Sequence, residues 1–392
     1  MKKMLLASAA TLLATAATAE EVKLGVLLGF SGPIESMAVA MGSGAELAIS
    51  EVSDSGLLLD GSTVTAIRGD STCIDAAAAT AAAERLITAD GVNGILGAAC
   101  SGVTGAVLAN VARANGMVMI SPSATSPALS SAEDDGLFFR TAPSDARQGE
   151  IIGKLLSEKG IGSVAMTYTN NDYGKGLADS IQAAYEALGG EVTIVAAHED
   201  DKADYSAEVG ALASAGGDLL VVAGYADRGG AGIVQATLDT GAFDTFFFPD
   251  GMVSDSTTEK FGADVDGSMG TLPGSDSPGA EKFGEVVGDA FDPTSIFSGE
   301  SYDGAALLLL AMQAAGSSDP KVYKDKIMDV ANAPGEPIMP GELAKGLEIL
   351  AGGGDIDYIG ATAVEFLENG DSAGSFREVV VEGGAFETVG YH

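Results

Sequence analysis

VNGILGAACSGVTGAVLANVARANGMVMISPSATSPAL, residues 92–129, holds two short apolar runs, 92–99 and 117–120, each followed by small hydroxyl residues in place of a charge. Between them Val103, Val107, Leu108 and Val111 recur at three- and four-residue steps, the spacing of one apolar helix face. The stretch therefore predicts strand, helix, strand. Ser101 falls just before the helix, where backbone N–H groups lack partners and the dipole favours an anion. The second strand runs into Ser121-Pro-Ser-Ala-Thr-Ser-Pro127, a loop stiffened by two prolines and carrying four hydroxyls. In a parallel sheet both strand ends open on one edge, where open α/β folds hold their ligands. This edge is predicted to seat a small carboxylate.

The same alternation runs outward from this stretch. Upstream, residues 21–28 and 63–68 read as strands, and 41–52 and 76–87 as helices; the short links argue for a parallel sheet covered on both faces. Downstream of residue 143 the pattern restarts, with helices predicted at 148–159, 176–188, 205–215 and 233–240 and strands at 163–168, 191–197, 218–223 and 245–249. A third section contributes helices at 279–289, 302–315 and 321–331, then β-like segments at 358–364 and 376–388, the latter with a Gly-Gly turn. The expected architecture is α/β with two lobes, each a parallel sheet flanked by helices, joined by a chain that crosses between them several times around a closable cleft.

The chain has 392 residues, which suits two domains. Residues 1–19 have the marks of a cleaved export signal: Lys2-Lys3, an apolar run over 4–16 too short to span a bilayer, and Ala17-Thr18-Ala19 as a small-x-small site. No Cys stands directly after the cleavage point, so a lipid anchor is not expected. Export places Cys73 and Cys100, the two cysteines of the chain, where thiols oxidise. A single disulfide is predicted; two buried free thiols is the alternative. The formal charge of −36 argues against nucleic acid, whose binding is driven by Lys and Arg on phosphate. With only His198 and His392, there is no imidazole cluster for a metal and no His-based catalytic group. No GxxxxGK[ST], GxGxxG after the first strand or GxSxG elbow is present, so neither a nucleotide cofactor nor an esterase nucleophile is indicated. The acidic runs at 133–135 and 199–201 read as solvated loops.

Ser101, Ser123 and Thr125 are neutral donors suited to a carboxylate, although Ser and Thr favour turns and caps as well. Tyr173 and Tyr225 follow strands of the second half and form a predicted ligand wall on its matching edge.

The segments LGVLLGFSGP (24–33), CSGVT (100–104), ISPSATSP (120–127), FFRT (138–141), NNDYGKG (170–176), VVAGY (221–225) and SYDGAA (301–306), with the Cys73 and Cys100 pair, resemble the branched-chain amino-acid-binding proteins of bacterial ABC transporters over essentially the whole mature chain. The resemblance implies a type I periplasmic substrate-binding protein with lobe 1 at 20–142 and 268–352 and lobe 2 at 143–267 and 353–392, linked by a multi-strand hinge. It implies no enzyme and no cofactor; the expected partners are a small amino acid or carboxylate and ABC permease subunits, and the expected state is a monomer in the periplasm. By position it assigns the ligand's carboxylate to Ser101, Ser123 and Thr125 with nearby backbone, turns the Ser123 carbonyl to the ammonium, places Tyr173 at the ligand, and pairs Cys73 with Cys100; Ala124, Tyr225 and Tyr302 are further candidate ligand residues. Two departures stand out. Met37 occupies the place of an aromatic residue, and Arg228 the place of the acid that pairs with an ammonium, so Asp227, Asp250 or Asp303 must take over that role or Arg228 must meet a second carboxylate. A sensory module and an exported serine hydrolase are the competing readings.

Overall fold

The computed structural model describes residues 21–392; the predicted export signal lies outside the described residues. Strands β1 (Glu21–Leu28), β2 (Thr63–Asp70), β3 (Gly94–Gly97), β4 (Met119–Ser121) and β5 (Phe138–Pro143) build the first sheet. β6 (Ser163–Thr169), β7 (Glu191–His198), β8 (Leu219–Ala223), β9 (Phe246–Phe248) and β10 (Met269–Pro273) build the second. β11 (Glu336–Ile338) and β12 (Ile356–Tyr358) pair by themselves. β13 (Asp371–Ser372) returns to the edge of the first sheet, and the hairpin of β14 (Phe376–Glu382) and β15 (Ala385–Tyr391) completes the second.

The spatial orders are β13-β5-β4-β3-β1-β2 and β15-β14-β10-β9-β8-β6-β7. Every pairing in the first sheet is parallel. Its inner strands carry no polar alternation because helices cover both faces, as the apolar runs require. β3 and β4 are neighbours with Ile95 opposite Met119, so their C-terminal ends share one edge. The second sheet is parallel up to β10; β14 then runs antiparallel to β10, and the Gly383-Gly384 turn, with φ of 62° and 79°, lets β15 fold straight back on β14.

Helix Ser298–Ala315 is the axis of the first lobe. It is buried from Ser298 through Gln313, the pattern of a helix packed on all sides. Helix Glu35–Ser55 crosses it so closely that a Cβ on Gly44 would sit 2.2 Å from the Ser298 carbonyl oxygen, which leaves glycine as the residue that fits.

The chain passes between the sheets after Pro143, after Pro273 and after Ser372. The passages touch: Gly274 donates its N–H to the Ser375 carbonyl at 3.1 Å, and the Ser375 hydroxyl donates to the Gly274 carbonyl at 3.0 Å. These contacts correct the lobe boundaries drawn at 268 and 353. β10 lies in the second sheet and β13 in the first, so lobe 1 resumes after residue 273 and lobe 2 after residue 372. The β-like reading of residues 358–364 also gives way. After Tyr358 the chain turns at Gly360 (φ 61°), and Asp303 accepts the N–H groups of Ala361 (2.7 Å) and Thr362 (2.9 Å).

Two long-range links tie the first lobe together. Cys73 and Cys100 form a disulfide with Cα atoms 5.1 Å apart, which joins the end of β2 to the start of the helix after β3. Arg140, fully buried on β5, donates from Nε to Asp371 at 2.7 Å, from Nη1 to the carbonyls of Ala124 (3.0 Å) and Ser126 (2.9 Å), and from Nη2 to the Ser130 hydroxyl at 2.7 Å. Burial pushes the Asp371 carboxyl up, but the guanidinium more than offsets this and holds it below its ordinary value.

Arg140→Ala strands Asp371 and two loop carbonyls in a dry site. The expected loss of unfolding free energy is roughly 3–5 kcal/mol, read by urea denaturation; a loss under about 1 kcal/mol would show that the guanidinium is not holding the loop. Replacing both cysteines by serine is expected to cost roughly 3–4 kcal/mol on a chain-entropy basis in the same assay.

Candidate functional site

β3 ends at Gly97, and the helix Ser101–Val107 begins without a side-chain cap, its first residue pinned beside the disulfide at Cys100. Ser101 Oγ accepts the N–H of Ser126 at 3.1 Å, so its own hydrogen remains free to donate. The hydroxyls of the facing loop are more committed. Ser121 Oγ donates to the Ala98 carbonyl at 2.6 Å and accepts the N–H of Ala124 at 3.0 Å, and Ser123 Oγ donates to the Ala99 carbonyl at 2.9 Å. Thr125 Oγ1 is buried with no partner among the described residues. The first-lobe edge thus offers a free serine hydroxyl at an uncapped helix start, the arrangement that suits a carboxylate.

The second-lobe edge is built from three strand ends, those of β6, β8 and β9. Asn171 caps helix Asp172–Ala187 by accepting the N–H of Gly174 at 3.0 Å, which sets Tyr173 in the first turn. The Tyr173 hydroxyl donates to Asp250 Oδ1 at 2.6 Å and accepts the N–H of Gly251 at 3.1 Å. Gly251 also donates to Asp250 Oδ1 at 2.9 Å, and a Cβ at this glycine would meet the Gly224 carbonyl at 2.5 Å and the Tyr173 hydroxyl at 2.7 Å. The rings of Tyr173 and Tyr225 stack with centroids 5.2 Å apart. Burial pushes the Asp250 carboxyl up to about 6, against the hydrogen bonds from Tyr173 and Gly251 that favour its charge. Behind it lies Asp145, fully buried, with a carboxyl raised by burial first and by the charge of Asp250 second. Gln148 Oε1 is another buried acceptor without a partner among the described residues.

These two edges line one small cavity between the lobes. Ser101 and Ser123 stand on one side and Asp250 on the other, with Ile34, Met37, Met41 and Phe297 as an apolar wall and the two tyrosines as a lid. The lobes meet over it. Ser36 donates its N–H to Asp227 at 2.9 Å, and Ser36 Oγ lies 3.3 Å from Ser254 Oγ.

The predicted residues divide accordingly. Ser101, Ser123, Tyr173, Tyr225 and Asp250 line the cavity, while Ala124 and Thr125 are buried behind it. Asp227 belongs to the contact between lobes, and Arg228 is exposed beside the start of helix Gly229–Thr240. Tyr302 is buried inside the first lobe with its hydroxyl donated to Glu51, and Asp303 caps the turn at residues 361–362. Neither Arg228 nor Tyr302 reaches the cavity, and of the three acids weighed for an ammonium only Asp250 does. The reason is local: past Tyr225 the chain turns into a helix, and the facing acid comes from the end of the next strand, β9. The sequence reading missed Ile34, Met41, Gly251 and Phe297. Met41 had a legible signal, one helical turn from Met37; Phe297, in a left-handed conformation with φ of 60°, had none.

Two α/β lobes joined by three adjacent crossings, with a small part-polar cavity shut between them, define a two-lobed ligand-binding protein. Residues 21–337 match the family described as periplasmic binding protein, and the chain belongs to that family, in its branch of branched-chain amino-acid-binding substrate-binding proteins of ABC transporters. It is 30% identical over 316 residues to a Leu/Ile/Val-binding protein homolog 1 of Brucella abortus, covering 78% of this chain and 83% of that one. Its fold superposes on a leucine binding protein of Thermotoga maritima with a TM-score of 0.79 at 22% identity, over 94% and 98% of the two chains. A solute binding protein of R. palustris in complex with benzoate superposes with a TM-score of 0.77 at 18% identity, over 95% and 96%. The role is that of a periplasmic substrate-binding protein and the fold is type I.

The raised Asp250 carboxyl has a stability consequence. In the folded state it keeps a proton to about pH 6 that the unfolded chain loses near pH 4, so its contribution is present below pH 4 and is lost as pH rises through 6. Asp250→Asn keeps the acceptor for Tyr173 and Gly251 but cannot ionise. It should unfold like wild type at pH 4 and be more stable by on the order of 2–3 kcal/mol at pH 7; equal stabilities at pH 7 would contradict the assignment.

Proposed function

We propose that this chain captures a small α-amino acid with an apolar side chain between its lobes, in the periplasm, and presents it to an ABC permease. The observation that carries this reading is the polarity of the cavity. An uncharged donor edge at Ser101 suits a carboxylate, a buried carboxylate at Asp250 suits an ammonium, and Ile34, Met37, Met41 and Phe297 between them suit an aliphatic side chain. A carboxylic acid without an amino group would put a second carboxylate in a cavity that already holds Asp250 and bring no cation to it, which is costly. The names of the Leu/Ile/Val-binding relatives support the same ligand class.

Because contacts come from both lobes, the ligand favours the closed arrangement and shifts the population towards it. Nothing in this role requires bond making, and the protein acts as a monomeric carrier. The secretory signal over residues 1–19 supplies the export that the role needs. Ammonium binding requires Asp250 to be ionised, so affinity should be full above about pH 6 and fall by up to tenfold per unit below it.

Calorimetry on the mature protein with L-leucine, L-isoleucine, L-valine, L-alanine and benzoate tests the proposal. At least one aliphatic L-amino acid should bind with 1:1 stoichiometry. Ser101→Ala should weaken it about tenfold, and Asp250→Asn should weaken it further while removing the pH dependence. Tight binding of benzoate with all four amino acids silent would overturn it.

A further inference from the structure

A second, roomier cavity lies beside the crossing segments. It takes its walls from both lobes: Phe283, Ile296 and Glu300 from the first, and Pro273 and Arg377 from the second. Phe297 is shared with the amino-acid cavity and separates the two spaces.

The two charged groups here are poorly matched by the protein. Glu300 is 4% exposed, in the first turn of helix Ser298–Ala315; its carboxyl accepts its own backbone N–H, but among the described residues no side chain hydrogen-bonds it and no cation lies within ion-pair distance. Burial pushes this carboxyl up to about 7. Across the cavity, half-buried Arg377 donates from Nη2 to the Thr294 carbonyl at 3.0 Å, but its Nε is buried and unpartnered among the described residues. Each senses the charge of the other without touching it. A buried carboxyl and a guanidinium with spare donors are costly to leave this way unless a bridging group satisfies both. Pro273, Phe283, Pro293, Ile296 and Ala361 supply an apolar part of the wall, and the hydroxyl residues Ser275, Thr294, Ser295, Thr362 and Tyr391 a polar part.

We propose that this cavity is a second ligand site, in which Arg377 takes the anionic end and Glu300 the ammonium end of a small zwitterion. The site is distinct from the one at Ser101 and Asp250 and does not depend on which ligand binds there. Arg377 sits on β14 of the second lobe and Glu300 on a helix of the first, so an occupant bridges the lobes at the hinge. A molecule held this way favours one inter-lobe geometry, and by linkage it raises or lowers affinity at the main site by the factor that the main ligand imposes on it.

The test uses the mature chain carrying Ser101→Ala together with Asp250→Asn, which removes both polar ends of the main site, and follows binding by calorimetry and ligand-observed NMR. Glycine is the probe; acetate and methylammonium supply the anion and the cation alone. Glycine should bind saturably at 1:1, and both single-charge probes at least roughly tenfold more weakly. Adding Arg377→Gln or Glu300→Gln should weaken glycine by roughly ten- to a hundredfold. Ala280→Phe, which fills the cavity and spares both charges, should abolish binding even if Arg377→Gln fails to fold. Absence of saturable glycine binding, acetate binding as tightly as glycine, or indifference to Glu300→Gln and Ala280→Phe would each overturn the proposal. None of these results bears on whether wild-type protein binds aliphatic amino acids at the main site.

Discussion

The buried guanidinium of Arg140 is the constraint on which the rest of the first lobe depends. Its donors reach Asp371 on the edge strand just before the third crossing, and the carbonyls of Ala124 and Ser126 in the loop opposite Ser101. A loop with two prolines and four hydroxyls has little apolar surface with which to fix itself. Arginine supplies the geometry because its planar fork can satisfy several acceptors in different directions at once, which a lysine ammonium on a flexible stem cannot do as well. The ion pair need not add much net stability, since two desolvated charges repay their burial only with good geometry. Its effect is positional: the ligand edge and the last passage between lobes are held by one side chain.

Around that anchor the cavity is polar at its ends and apolar between them. The hydroxyls of Ser121 and Ser123 are consumed by backbone carbonyls, so the four-hydroxyl loop presents far fewer donors than its composition suggests. Donors and acceptors are instead divided between lobes, Ser101 on one and Asp250 on the other. Only a guest that spans the gap satisfies both, and this makes closure and recognition the same event.

Acidic residues outnumber basic ones heavily in this chain, yet the acids that matter chemically are the few withdrawn from water. Asp145, Asp250, Glu300 and Asp303 all have carboxyls raised by burial, and they lie along the seam between the lobes or on the helix that supports it. Asp303 is matched by backbone N–H groups and hydroxyls and serves the turn at residues 361–362. Asp250 and Glu300 face cavities. The difference between a structural acid and a binding one is whether it also faces a cavity.

The sequence alone determined the alternation of strand and helix, the two sheets, the shared edge of β3 and β4 with Ser101 and Ser123 along it, and the places of Tyr173 and Tyr225 at strand ends of the second sheet. These follow from periodicity and from strand ends, which are local properties. The partner for an ammonium was not local: counting onward from Tyr225 led to Arg228, which the following helix turns to solvent, while Asp250 arrives from another strand. The lobe boundaries shifted for the same reason, because membership of a sheet is decided by hydrogen bonds between segments far apart in the chain, as β13 and β5 show. Burial was equally illegible, since whether a Glu such as Glu300 is a solvated surface charge or an unmatched group in a cavity depends on what packs against it. Tertiary structure alone decided these points, because desolvation and pairing are properties of the surroundings and not of the residue.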